Sequence, residues 1–199
     1  MIVKILDCTP DPAFTINMTA RQCYNSRDKY DKTKGVAFVK GLIRSGHLTP
    51  LESASVVFDI EGISRACLAQ LTRHRIGVSF CVQSQRYVNQ EKSAYIIPPD
   101  IVKNQNARSV YENALMTTRA AYRELLQLGI KKEDARMVLT ESTCTNLSMT
   151  VNFRELRHIF ELRMAKDAQW EIQELCKSMA SELDKRSLRW VYEDIADKL

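Results

Sequence analysis

Along the chain, short β-branched runs alternate with longer amphipathic stretches. Residues 3–6, Val-Lys-Ile-Leu, read as a first strand closed by the Thr-Pro-Asp-Pro turn at 9–12. Residues 14–25 and 31–45 carry helical spacing, the second through Val36, Val39, Lys40 and Ile43, with Gly46 as its stop. His47 to Pro50 reads as a loop, and 55–60 is the strongest strand candidate, being β-branched and aromatic. Ser64 is placed to cap a helix predicted to run through Arg75, with Cys67, Leu68 and Leu71 on one stripe. Residues 76–87 read as a loop leading into an extended segment, which Pro98-Pro99 ends. A long helix is expected over 106–128, with Tyr111, Leu115, Tyr122, Leu125 and Leu126 near helical spacing and Gly129 behind it. There follow a helix over 131–139, a strand over 143–152 and a helix from Asn152 to about 164. That helix is opened by a capping box of Asn152 and Glu155, and a helix pair over 168–197 closes the chain. The order describes an α+β fold in which helices predominate, a single domain over residues 1–199 with an antiparallel-rich sheet flanked by long helices.

Composition narrows the class without choosing a chemistry. A chain of 199 residues, 45% apolar and 27% charged, suits one sizeable soluble domain. No apolar run reaches the roughly eighteen residues of a membrane span. The first residues lack the pattern of a secretory signal. The expectation is a cytoplasmic protein with no membrane partner. Six cysteines without a C-x-x-C pair argue against zinc and a disulfide framework, and three histidines far apart give a metal site little support. A net charge of +5 fits weak nucleic-acid attraction and small anionic substrates equally well.

Some residues break the local pattern. Leu156, Ile159, Phe160 and Arg163 share an arc of about 100° on their helix, the width of a core-facing stripe. Arg163 either snorkels from the helix end and caps its last carbonyls, or it is a charge aimed into a pocket that holds an anion or a polarisable ring. Arg73, His74 and Arg75 are sufficiently explained by a helix C-terminus, where cations are favoured by about 0.3–1 kcal/mol each. That does not account for Ser84, Gln85 and Arg86, which offer hydroxyl, amide and guanidinium within three residues. Arg136 has a salt bridge to Glu133 or Asp134 as its plainer role, and His47 and Thr49 are ordinary loop residues on spacing alone. No dinucleotide-binding glycine motif, phosphate loop, nucleophile elbow or zinc-protease motif is present.

Taken together, these residues resemble the flavin-dependent thymidylate synthases. Arg-His-Arg at 73–75, a span, and then Ser84 within Ser-Gln-Arg-Tyr resemble the family signature. The span is eight residues here, 76–83, against a usual seven. Residues 46–53, GHLTPLES, are similar to the family's G-H-x-[ST]-P-L-E-H, and 61–75 look like its signature helix. Residues 152–176 resemble its C-terminal helices almost throughout. Ser53 stands where the family usually has histidine.

The resemblance implies a homotetramer with active sites between subunits that binds FAD and dUMP. It further implies that methylenetetrahydrofolate and NADPH are used to make dTMP. By position, Arg163 matches the catalytic arginine that sits on the uracil and polarises it. Gln70, Arg73, Ser84, Gln85 and Arg86 match the nucleotide set, with Arg136 contributed by a neighbouring subunit. His47, Thr49, Arg73, His74, Arg75, Asn152, Arg154 and His158 match flavin contacts, and Val82 and Gln83 belong to the same wall. No metal and no nucleic acid are implied. Two other readings stay open. One is a flavin reductase that lacks methyl transfer, to which Ser53 points. The other is a basic nucleic-acid-binding module, against which stands the interspersion of Lys and Arg with acids.

Overall fold

Alternation fixes the strands. In the computed structural model, which describes residues 1–196, β1 (Ile2–Cys8) buries Val3 and Ile5 and exposes Ile2, Lys4 and Leu6 beside them. It pairs antiparallel with β2 (Ser55–Ser64), Val3 opposite Ile60 and Ile5 opposite Phe58. The register shifts between Ile5 and Asp7, so Leu6 is left at 57% exposure. β3 (Val78–Val82) and β4 (Cys144–Asn152) complete a four-stranded antiparallel sheet in the order β1-β2-β4-β3.

Nine α-helices are found among the described residues, so helix predominates as the sequence implies. They are α1 (Pro12–Gln22), α2 (Gly35–Arg44), α3 (Arg65–Leu71), α4 (Pro99–Val102), α5 (Gln105–Gln127), α6 (Lys132–Ala135), α7 (Phe153–Arg163), α8 (Trp170–Lys185) and α9 (Glu193–Ala196). Asp11 caps α1 through Phe14 N–H, with Pro12 at its first position. Behind α2, Gly46 N–H donates to Ile43 O and His47 N–H to Leu42 O, the paired bonds of a Schellman ending. Gly46 sits at φ +73°, so this turn sets the exit angle of His47.

Several expected bounds change. The helix after Ser64 stops at Leu71 rather than Arg75, although Ser64 Oγ does accept Cys67 N–H at 2.9 Å. The loop at 47–50 runs into a 3-10 turn, Thr49–Ser53. The helix over 131–139 is the four-residue α6 followed by a 3-10 turn, Arg136–Val138. The closing pair is α8, a 3-10 turn at Arg189–Val191 and the short α9. The expected end at 197 lies outside the described residues.

The chain divides into two compact units, each built from separated stretches. Residues 1–61, 71–81 and 147–199 form the first, and 62–70 with 82–146 the second. In the first, α8 packs on β1, while α1 and α7 both pack on the 49–53 turn. Its core is mostly apolar, with Val56, Phe58, Ile60, Met149, Val151, Leu156, Ile159, Phe160, Leu175 and Met179 all buried. In the second, α5 packs with α4 and α6, and Tyr122 Oη at its buried face accepts Gln90 N–H. Among the described residues no helix is long and apolar enough to cross a membrane.

Candidate functional site

The first unit gathers charged residues around the start of α7. Asn152 Oδ1 accepts Glu155 N–H at 2.9 Å, so Asn152 is the N-cap. The second half of the expected capping box is not made. Asn152 N–H donates instead to Gly77 O at 2.9 Å, and the Glu155 carboxylate is released for another partner. Gly77 lies at φ +72°, and a Cβ there would fall 2.2 Å from Asn152 Nδ2. The turn that follows Arg73-His74-Arg75 is therefore pinned to the N-terminus of α7.

His74 is the partner Glu155 finds. The run of three bases splits, with Arg73 and Arg75 exposed and His74 only 5% exposed between them. His74 Nδ1 lies 2.9 Å from Glu155 Oε1, and Arg163 Nε–H donates to His74 Nε2 at 3.1 Å. A carboxylate only accepts and a guanidinium only donates. The imidazole between them carries its proton on Nδ1 and offers the Nε2 lone pair. Burial pushes the His74 imidazole below its usual range, against the hydrogen bond to Glu155, with Arg163 adding to the push. His158, one turn after Glu155, sets its ring edge-on to His74 at 5.8 Å.

The structure gives Arg163 a side-chain partner. Leu156, Ile159 and Phe160 are buried, as their stripe requires, and the guanidinium at its end is held by a side chain rather than snorkelling away. Two of the three histidines also converge with Glu155, ligand atoms within 4.8 Å of one another. Both ring nitrogens of His74 are already engaged and a guanidinium abuts the group, so the cluster is built for hydrogen bonds rather than for a cation.

Two cavities of the first unit carry five of the other expected flavin contacts, while Arg73, Arg75 and Val82 line neither. Asn152, Arg154 and His158 line one of about 390 Å³, with Leu48, Glu52 and Ile76. His47 and Thr49 line another of about 520 Å³, beside Arg21, Tyr24 and Phe38. Leu48 faces the first cavity and its two neighbours the second. Arg154 pairs with Glu52 at 2.5 Å across an exposed gap. Ser53 donates its hydroxyl to Pro50 O at 2.8 Å and lines neither cavity. Arg157, buried, grips Asp194 through both terminal nitrogens and also donates to Val191 O, a structural role.

In the second unit Ser84 opens a turn. Its carbonyl accepts Tyr87 and Val88 N–H, and its Oγ accepts Arg86 N–H at 3.2 Å. Val82 and Gln83 immediately precede it at the end of β3, with Gln83 N–H on Asn146 O at 2.8 Å. Gln85 is half-buried, and Gln70 Nε2 reaches Ala66 O on its own helix. Arg86 forms an ion pair with Glu133, whose backbone carbonyl accepts Arg136 Nε–H at 3.1 Å. Spacing proposed that the carboxylate of Glu133 or Asp134 bonds Arg136, but the Glu133 carboxylate is engaged elsewhere. It bonds Arg86 instead, and so brings two arginines of the nucleotide set together. Neither Glu133 nor Glu155 was singled out for chemistry, because an acid in the first turn of a helix is fully accounted for by capping and the dipole.

The comparisons agree with one another. A family model described as thymidylate synthase complementing protein matches residues 4–187. The flavin-dependent thymidylate synthase of Geobacter sulfurreducens is 40% identical over 187 residues, covering 90% of this chain and 80% of its own. That of Pyrococcus abyssi is 37% identical over 194 residues, covering 92% and 79%. Among solved structures, thymidylate synthase X from Helicobacter pylori, crystallised with FAD and dUMP, superposes with a TM-score of 0.81. It does so at 26% identity over 98% of each chain.

Proposed function

This chain belongs to the flavin-dependent thymidylate synthase family, and from that premise we propose that it binds FAD and dUMP and forms dTMP. Methylenetetrahydrofolate is the one-carbon donor and NADPH the reductant, leaving tetrahydrofolate and NADP⁺. The working form is a cytoplasmic homotetramer, one domain over 1–199 in each subunit, with active sites between subunits and no nucleic-acid or membrane partner.

The residues suit these ligands. Arg73, Arg75 and Arg154 are exposed guanidinia able to meet the diphosphate of FAD. Leu48 and Ile76 offer apolar surface beside Asn152 and His158. His47 and Thr49 add donors from the second cavity of the same unit. Bound FAD would pass the hydride drawn from NADPH. Ser84, Gln85, Arg86 and Arg136, with Gln70 and Gln83, recognise the nucleotide, the arginines taking its phosphate. Arg163 holds positive charge against the uracil, which favours the ionised ring in the transition state.

The observation that carries this reading is the grip of His74 on Arg163, which presents a fixed guanidinium at the end of a buried apolar stripe. The test is a visible spectrum of purified protein with FAD and dUMP, followed by assay of dTMP. Flavin bands retained on gel filtration, with dTMP formed, support it. NADPH oxidation without dTMP would favour the reductase reading, to which Ser53 in place of the family's usual histidine points.

A further inference from the structure

We propose that Glu155 is a positioning residue for Arg163, acting through the tautomer of His74. The inference rests on the reading of Arg163 as the group that polarises uracil.

Among the described residues the Glu155 carboxylate has no ion pair but that with His74. The Glu155 backbone N–H serves the cap on Asn152, yet its carboxylate makes no reciprocal capping bond, because Asn152 N–H is taken by Gly77 O. Its side chain is 13% exposed and lies against a ring that is 4% exposed. Burying a carboxylate costs free energy unless it is hydrogen-bonded, and the imidazole N–H is the partner found.

The chemistry follows from donor counting. With Nδ1–H on Glu155, the Nε2 lone pair faces Arg163 Nε–H and holds it. Without the carboxylate, the proton is free to move to Nε2. Two N–H groups would then oppose each other and the bond from Arg163 Nε to the ring would be lost. A doubly protonated ring would fail in the same way, with two cations face to face.

Among the described residues, the other groups of α7 that act on the His74 ring are His158 and Arg163, neither of them anionic. Glu161 lines the same cavity as Glu155 but is not among the groups that act on the ring. Cys176 of α8 feels the field of Arg163, but burial pushes its thiol up to about 12, so it stays neutral. Arg73 and Arg75 flank the ring in sequence and are exposed.

The experiment uses full-length enzyme with FAD, labelled with ¹⁵N in the histidine rings. Nitrogen NMR near pH 8 reads the His74 tautomer, and turnover is measured with dUMP, methylenetetrahydrofolate and NADPH. Wild type should show a protonated Nδ1 and a bare Nε2. Glu155→Ala should lose that pattern and lose about 10–100-fold in kcat, the scale of a misplaced catalytic group. Its KM for dUMP should stay within about threefold, and kcat is expressed per bound FAD, because Glu155 lines the same cavity as Asn152, Arg154 and His158. Glu155→Gln, whose amide oxygen still accepts Nδ1–H, should keep both tautomer and rate. If Glu155→Ala fails to fold, Glu155→Asp, one methylene short of the ring, is read in its place. Wild-type turnover in Glu155→Ala, or a wild-type ring protonated on Nε2, overturns the inference. If wild type forms no dTMP but the tautomer still depends on Glu155, the enzyme reading fails and the hold on His74 stands.

Discussion

Gly77 and Asn152 fit together with no room to spare: the glycine carbonyl accepts the asparagine N–H at 2.9 Å, and a Cβ on the glycine would lie 2.2 Å from Asn152 Nδ2. Gly77→Ala should therefore suffer twice. The left-handed backbone alone costs roughly 1–3 kcal/mol in a residue with a side chain, and the clash adds to it. Urea denaturation should register the loss. FAD retention should fall with it, because the same turn carries His74 and Ile76.

Asn152→Ala removes the cap of α7 and should cost about 1 kcal/mol. Asn152→Asp keeps an acceptor at the positive end of the helix and should be nearly neutral. Equal destabilisation of the two by chemical denaturation would mean that the Nδ2 face, not the cap, is what matters.

Arg163→Ala should retain flavin and lose most turnover, and Arg163→Lys should recover little. A lysine has no planar Nε–H with which to meet His74 Nε2 while presenting charge elsewhere. Flavin absorbance on gel filtration and the rate of dTMP formation separate the two effects. Full activity in Arg163→Ala would remove the role assigned to it.

Arg86→Ala should weaken dUMP binding by about 10–100-fold, the worth of one charge-assisted hydrogen bond. Its exposed pair with Glu133 contributes little to folding, so the thermal midpoint should barely move. Isothermal titration with dUMP and a melting curve check the two halves of this expectation.

The buried imidazole gives stability a pH dependence with a definite sign. In the unfolded chain His74 titrates near its ordinary 6.5, and in the folded chain lower. Its contribution is fully present above that ordinary value. As pH falls below it, the unfolded chain takes up a proton that the folded ring declines, and stability drops until the folded value is reached. Urea midpoints between pH 7.5 and pH 5.5 should fall more steeply in wild type than in His74→Gln.

Much of this was legible from residue order. The strands, the α7 cap, the C-terminal turn at Gly46 and the misplaced Arg163 all follow from periodicity or local geometry. The partner of Arg163 did not, because His74 is 89 residues away and had a sufficient explanation in helix electrostatics. The length of α3 was also overread, since Arg73 and Arg75 are good helix formers and nothing local reveals that Gly77 must meet Asn152. Glu133 was invisible for a related reason. Its neighbour in sequence, Arg136, gave its carboxylate a plausible use that Arg86 in fact takes.

Arg186 donates to Ile5 O at 3.0 Å across 181 positions, and α8 lies on β1, so the earliest strand and the last long helix complete one core. On the ribosome β1 emerges long before α8 and must wait for it before its inner face is covered. Pairings so remote in sequence slow folding and leave apolar edges open in the interval. The nascent chain should accordingly depend on chaperones more than its modest length suggests, and C-terminal truncation within α8 should yield insoluble protein rather than a folded fragment.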